Sequence, residues 1–214
     1  MDEDIKKDIY AKRCQLGIKA LKANGFDAIY ADNSKEALQK ALRMIPKEAT
    51  VGISGTVTIR EIGLVDALEK QGNTIYTDWN HGLEVEEKLR IRRAGMNSDV
   101  YLTSSNAITL NGQLVNIDGT GNRVAAMIFG PKKVIIIAGA NKIVDNLDDA
   151  FARIKSIACP LNGKRLGLNV PCALTGKCTK CESPQRMCKV SVVIDKKPNL
   201  SDIHILLVGE TLGY

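Results

Sequence analysis

Aromatic and histidine residues are scarce. Nine aromatics in 214 residues are too few to build the stacking platforms on which single-stranded nucleic acid lies. A net charge of +6 and a pI near 9.0 would suit a polyanion, but the lysines and arginines are spread over helix faces and not gathered into one stretch. A solvated basic surface, with no nucleic acid, is the expectation. No apolar run approaches the roughly 20 residues of a membrane span, and the acidic start MDEDIKKDIY lacks the features of a signal peptide. A cytoplasmic location without a membrane partner follows as the expectation. Neither a Walker loop nor a dinucleotide fingerprint occurs, so no nucleotide cofactor is expected. The two histidines, His81 after a turn and His204 inside an apolar strand, are not expected to be catalytic.

What is present is enough apolar residue, 44%, to bury a full core in one domain spanning residues 1–214. In order, 5–23 reads as an amphipathic helix with Ile9, Leu16, Ala20 and Ala23 at helical spacing, Cys14 in the core and a left-handed cap at Asn24-Gly25. Residues 26–31 read as a strand. Asn33 and Glu36 have the spacing of an N-cap and its acidic partner, opening a helix over 34–45 that Pro46 ends. Strands at 50–54, 74–77 and 100–103 alternate with helices at 59–71 and 83–94. That alternation implies a parallel sheet with helices on both faces.

The chain is organised around 106–144, NAITLNGQLVNIDGTGNRVAAMIFGPKKVIIIAGANKIV. Its first part predicts a hairpin turning at Asn111-Gly112 in a type I′ turn. A helix-like segment at 124–129 stops at Gly130-Pro131. Residues 133–138, KVIIIA, are apolar on both faces, as an interior parallel strand would be. A helix over 147–157 and strands at 189–194 and 203–208 complete the pattern.

Two turns carry candidate chemistry. The first, GISGTVT at 52–58, puts Gly52, Ser54, Gly55 and Thr56 between a strand and a helix, where amides and hydroxyls suit a phosphate or carboxylate oxygen. A tight turn in which Thr56 or Thr58 caps the helix explains it equally. Glu61 one turn on could complete a capping box or serve as an acid/base group. The second is DGTGNR at 118–123. Arg123 offers a fork of donors to an anionic substrate while Asp118 handles a proton, with Gly119, Gly121 and Asn122 shaping the loop. The alternative is an Asp118–Arg123 ion pair with Asn122 left-handed. Asn106 and Asn141 stand at neighbouring strand ends and join the substrate-binding set.

Between 159 and 188 lie five cysteines, three prolines and three glycines with little periodicity, a loop-rich insert. Cys172, Cys178, Cys181 and Cys188 fall within 17 residues, flanked by Lys177, Lys180, Arg186 and Lys189. In a reducing compartment such a set points to metal more than to disulfides. A single C-x2-C with two looser thiols fits an iron–sulfur cluster, while zinc also takes four thiolates. Two disulfides or reduced thiols are the alternative, and Cys159 is a spare ligand.

EIGL at 61–64, SNAIT at 105–109, NIDGTGNRVA at 116–125, FGPKKVIIIAGANKIV at 129–144 and the closing VGETLGY together resemble the lactate-utilisation (LUD) domain family, in particular its C-type component. The resemblance spans most of the chain. It implies a three-layer α/β fold with a mostly parallel sheet, similar to ribose-5-phosphate isomerase, glucosamine-6-phosphate deaminase and the CoA transferases. In such a fold the anion-binding loop would fall at 52–58. Proteins similar to the C-type component accompany iron–sulfur partner subunits that oxidise L-lactate to pyruvate. The resemblance thus implies an accessory or redox-linked subunit handling L-lactate or another small 2-hydroxy acid. The alternative is a stand-alone isomerase, deaminase or acyl-transfer enzyme on a small anionic substrate. Either is compatible with a homo-oligomer. The cysteine-rich insert is an addition to the simplest members.

Overall fold

The computed structural model describes residues 2–79 and 82–214, so His81 lies outside the described residues. The chain opens with α1 (Asp2–Ala23), which ends where Gly25 turns left-handed at φ 86° and the Phe26 N–H returns to the Leu21 carbonyl. After β1 (Asp27–Ala31), α2 (Ser34–Arg43) starts on Asn33. The Asn33 side chain accepts from the Glu36 N–H, and Glu36 reaches back to the Asp32 N–H. β2 (Thr50–Ile53) leads into α3 (Val57–Glu61) and α4 (Leu64–Gln71). One helix is expected over 59–71, but Gly63, left-handed at φ 73°, splits it in two. β3 (Thr74–Thr77), α5 (Val85–Met96) and β4 (Val100–Thr103) follow.

β5 (Ala107–Thr109) and β6 (Leu114–Asp118) form the expected hairpin. Its turn is not type I′, because among the described residues only glycines have positive φ. Gly112 alone is left-handed and closes a longer loop, in which its N–H donates to the Thr109 carbonyl and the Thr109 N–H donates to Gln113. Then come α6 (Asn122–Ile128), β7 (Lys133–Gly139), a 3₁₀ turn at Ala140–Lys142 and β8 (Ile143–Val144).

α7 (Leu147–Arg153) does not end near residue 157 as expected. It widens into a π-turn at Ile154–Ala158 and resumes as α8 (Cys159–Arg165). Pro160 supplies the reason: it has no N–H for the preceding turn and its ring would strike the carbonyl four residues back, a clash that a wider turn relieves. The cysteine-rich segment therefore begins as buried helix at Cys159. It becomes loop after 165, broken by the short α9 (Pro171–Thr175), before β9 (Val190–Ile194) and β10 (Ile203–Val208).

The main sheet runs β1-β10-β7-β4-β2-β3, parallel throughout. β7 sits inside it and buries both faces, as its composition requires. Val134, Ile136 and Ala138 pack with Cys14, Ile18 and Leu21 of α1, whereas Ile135 and Ile137 pack with Ile59, Leu64 and Leu68 on the opposite face. Three layers result, and each fully buried Ile or Leu contributes about 1.5–3 kcal/mol. The buried stripe of α1 is Cys14, Gly17, Ile18 and Leu21, not the one expected from Ile9 and Leu16, which are 49% and 56% exposed. Gly17 permits this by letting the helix approach Leu207 closely.

A second sheet, β8-β5-β6-β9, takes up β9 as an antiparallel neighbour of β6, so that of the two last strands only β10 returns to the main sheet. It packs Ala107 and Val115 on Ala150, Ile154 and Cys159 of the long helix. The ends of β2, β4 and β7 and this second sheet thus meet along one edge, where strand ends of an α/β sheet usually meet ligands.

Gly52 was expected among the ligand-binding residues, but it lies buried within β2, where a β-carbon would strike the Gly95 backbone of α5 and the Tyr101 ring. Gly52→Ala should lower stability by about 1–3 kcal/mol in denaturant unfolding. An unchanged unfolding midpoint would mean that the packing does not need the glycine.

Candidate functional site

The loops after β2, β4 and β6 enclose one cavity of about 160 Å³, whose wall includes Thr56, Thr58, Ser104, Asn106, Asp118 and Lys142. A neighbouring cleft of about 440 Å³ shares Gly55, Asp118, Gly119 and Arg123 with it and adds Lys88, Arg92 and Arg165. The two turns singled out in the sequence therefore open onto a common space.

Asp118 and Arg123 hold that space in shape. Asp118 Oδ1 accepts from the Thr120 and Gly121 N–H groups at 3.0 and 2.9 Å, and its Oδ2 lies 3.3 Å from Arg123 Nε. Arg123 Nη1 donates to Asn116 Oδ1 at 2.6 Å and to the Ser104 carbonyl at 3.3 Å. Its Nη2 donates to Asn106 Oδ1 at 3.1 Å and to the Ile117 carbonyl at 2.8 Å. All three guanidinium nitrogens are thus committed to protein acceptors. In this arrangement Arg123 is a clamp joining the loop after β4 to β6, and not a free fork for an anion. Gly121, left-handed at φ 91°, opens α6, and Asn122 takes the first helical position without being left-handed itself.

The remaining expected residues divide in the same way. Gly55, Thr56, Asn106 and Gly119 line the small cavity, and Ser54 and Asn122 line the cleft. Glu61 lies outside both, and its carboxylate accepts from the Gly213 N–H at 2.6 Å. Asn141 lies outside as well, accepting from the Leu212 N–H and donating to the Gly213 carbonyl. Both fasten the C-terminal segment, whose Tyr214 closes the cavity. Thr56 makes no side-chain cap bond, and α3 has only five residues. His204 sits at the opposite end of the sheet between Asp27 and Asp202, at 2.8 and 2.9 Å.

Lys142 was not expected. It follows Asn141 in the 3₁₀ turn after β7 and is 3% exposed. Its Nζ donates to Thr58 Oγ1 at 3.0 Å and Ser104 Oγ at 2.9 Å. Burial first, then the positive charges of Arg153 and Arg123, push its pKa down to about 7, against a weaker opposing pull from Glu61. Arg153 is itself buried, donating to the Asn141 and Asn106 carbonyls. The only hint in the sequence was a lysine three residues after an apolar strand, where a solvated role is usual. Over the cleft, Trp79 lies between the guanidinium groups of Arg60 and Arg165, at 4.1 and 4.6 Å from its ring centroid.

On the far side of Cys159, Met187 and Cys188 is a third cavity of about 850 Å³, lined by Cys159, Cys172, Cys178, Cys181 and Cys188. The Cys159 and Cys188 sulfurs are 3.2 Å apart. The hydrogen bond with Cys159, then the nearby Arg186 and Lys155, draw the Cys188 pKa below that of an ordinary thiol.

The sequence profile of the LUD domain matches residues 14–208, and the chain belongs to that family, which is associated with lactate utilisation. No curated protein matches. Among solved structures, a DUF162 family protein from Deinococcus radiodurans superposes with a TM-score of 0.54 over 93% of this chain and 98% of its own, at 12% identity. That likeness bears on the fold, a parallel sheet flanked by helices as in ribose-5-phosphate isomerase.

Two outcomes follow. Arg123→Ala would strand the Asn106, Asn116 and Ile117 oxygens and leave Asp118 without its cation. A loss of about 3–5 kcal/mol in unfolding free energy is expected, and a thermally unchanged variant would contradict the clamp. For Lys142 the folded pKa lies below the unfolded value near 10.5. Its charged form therefore costs stability fully below pH 7, and the cost disappears as pH rises towards 10.5. Lys142→Met should accordingly raise the melting temperature at pH 6 more than at pH 9.5, and the reverse order would contradict the burial argument.

Proposed function

We propose that this LUD-domain chain binds a small 2-hydroxy acid, with L-lactate as the type case, in the cavity above Lys142, and serves as a redox-linked component of its oxidation. The observation that carries the reading is the Lys142 ammonium, buried beside Arg123 and Arg153 with two hydroxyls, and no carboxylate, as its hydrogen-bond acceptors. A carboxylate ligand would supply the missing negative charge and turn a costly buried cation into a charge-assisted pair. The size agrees: a cavity of about 150 Å³ accommodates benzene, a ligand of six heavy atoms, and lactate has six heavy atoms in a cavity of about 160 Å³. The Thr58 and Ser104 hydroxyls can orient the ligand's own hydroxyl beside the carboxylate. The family's association with lactate utilisation supports the substrate class.

In this reading the chain's work is to bind and orient the acid while the oxidation releases two protons, one from the hydroxyl and one from the C2–H bond, to groups at the cavity and to solvent. The two electrons that leave the hydroxy acid pass to iron–sulfur partner subunits of the kind that the resemblance implies. A second reading, a self-sufficient isomerase, deaminase or acyl-transfer enzyme, draws on the same lysine: a pKa of about 7 suits a general base near neutral pH.

Calorimetric titration separates them. L-Lactate and pyruvate should bind to the wild type and more than tenfold more weakly to Lys142→Met, with affinity falling as pH rises above 7. Binding of ribose 5-phosphate in preference to both acids would favour the second reading. Equal affinity of wild type and Lys142→Met for L-lactate would contradict the proposal.

A further inference from the structure

The third cavity has no part in that scheme, and its lining is unusual. Five of the chain's six cysteines face it, together with Lys155, Lys177, Lys180 and Arg186, and among the described residues no acidic side chain or histidine lines it. The four cations are solvent-exposed, and Lys180 pairs with Glu182 at 3.5 Å, so they do not require a buried counter-charge but favour thiolates gathered in the space that they line. The loop is also built to bring the thiols together. Arg186 donates to the Cys188 carbonyl at 2.9 Å and to the Cys181 carbonyl at 3.3 Å, stitching two cysteine positions to one another. Ser183 and Gln185 tie the same loop to the backbone at Asn169. Apolar packing contributes little: Cys178 is exposed, and residues 176–180 are all exposed.

We infer that Cys172, Cys178, Cys181 and Cys188 ligate one thiolate-bound metal centre, iron–sulfur or zinc, that holds the 166–189 segment compact. Four thiolates around zinc or a four-iron cluster leave a net charge of about −2, which the surrounding lysines and arginine offset. Among the described residues no three such side chains already converge on a metal position. The adjustment falls on the exposed loop, where the Cys178 thiol has a weak contact to the Thr179 carbonyl at 3.9 Å. Cys159 is fixed in α8 and backs Cys188 without being a ligand. Because Met187 and Cys188 form part of the wall of the small cavity, the centre also braces that wall. The inference is independent of what the small cavity binds.

The test is metal analysis with an absorption spectrum on the full chain purified anaerobically under reducing conditions. About one zinc per chain without colour, or about four irons with broad visible absorption, is expected. Cys178→Ser and Cys181→Ser should each lose at least tenfold in metal content and gain protease cleavage between 166 and 189, while Cys159→Ser keeps its metal. The wild-type measurement stands even if a variant fails to fold. Metal-free wild type with a protease-resistant segment would overturn the inference, as would full metal content in Cys178→Ser or loss of metal in Cys159→Ser alone.

Discussion

The edge of the sheet is governed by an imbalance of buried charge. Lys142, Arg123 and Arg153 converge behind the cavity, and among the described residues Asp118 is the one acidic side chain lining it. Cations are tolerated in such surroundings only when their donors are satisfied. Arg123 and Arg153 meet this with carbonyl and amide oxygens, while Lys142 has two hydroxyls and gives up part of its affinity for the proton. An anionic ligand is the species that would relieve the imbalance.

The fold creates this imbalance by bringing distant segments together. β4 and β7 are neighbours in the main sheet, so Ser104 and Lys142, each just beyond a strand end, can meet across 38 positions of sequence. The second sheet then roofs the edge. Arg123 locks it there by binding the loop after β4 and the strand β6 at once. Glu61 and Asn141 draw the C-terminal residues back over the same edge. A residue's service to the site is thus often indirect, through the backbone that it holds.

This explains which features were legible in the sequence. Periodicity and capping are local, so the Asn33 cap, the Gly25 stop and the doubly buried β7 could be read directly. The parallel order of the main sheet followed from strand–helix alternation. Less legible were choices decided by tertiary contact. Two stripes of α1 have helical spacing, and only the close approach of Gly17 to Leu207 selects between them. DGTGNR was recognisable as a site-forming turn, yet spacing cannot show that Asn106, Asn116 and Ile117 occupy the arginine. Lys142 was hidden for the complementary reason, since nothing local to GANKIV says that its ammonium is buried.

The most direct measurement of the central claim is the titration of the Lys142 amine by carbon-13 NMR of its ε-carbon, assigned by comparison with Lys142→Met. A pKa near 7 is expected in the free protein and a rise on saturation with L-lactate, because the carboxylate stabilises the charged form. A free-protein pKa near 10.5, or one that saturating L-lactate leaves in place, would contradict the claim.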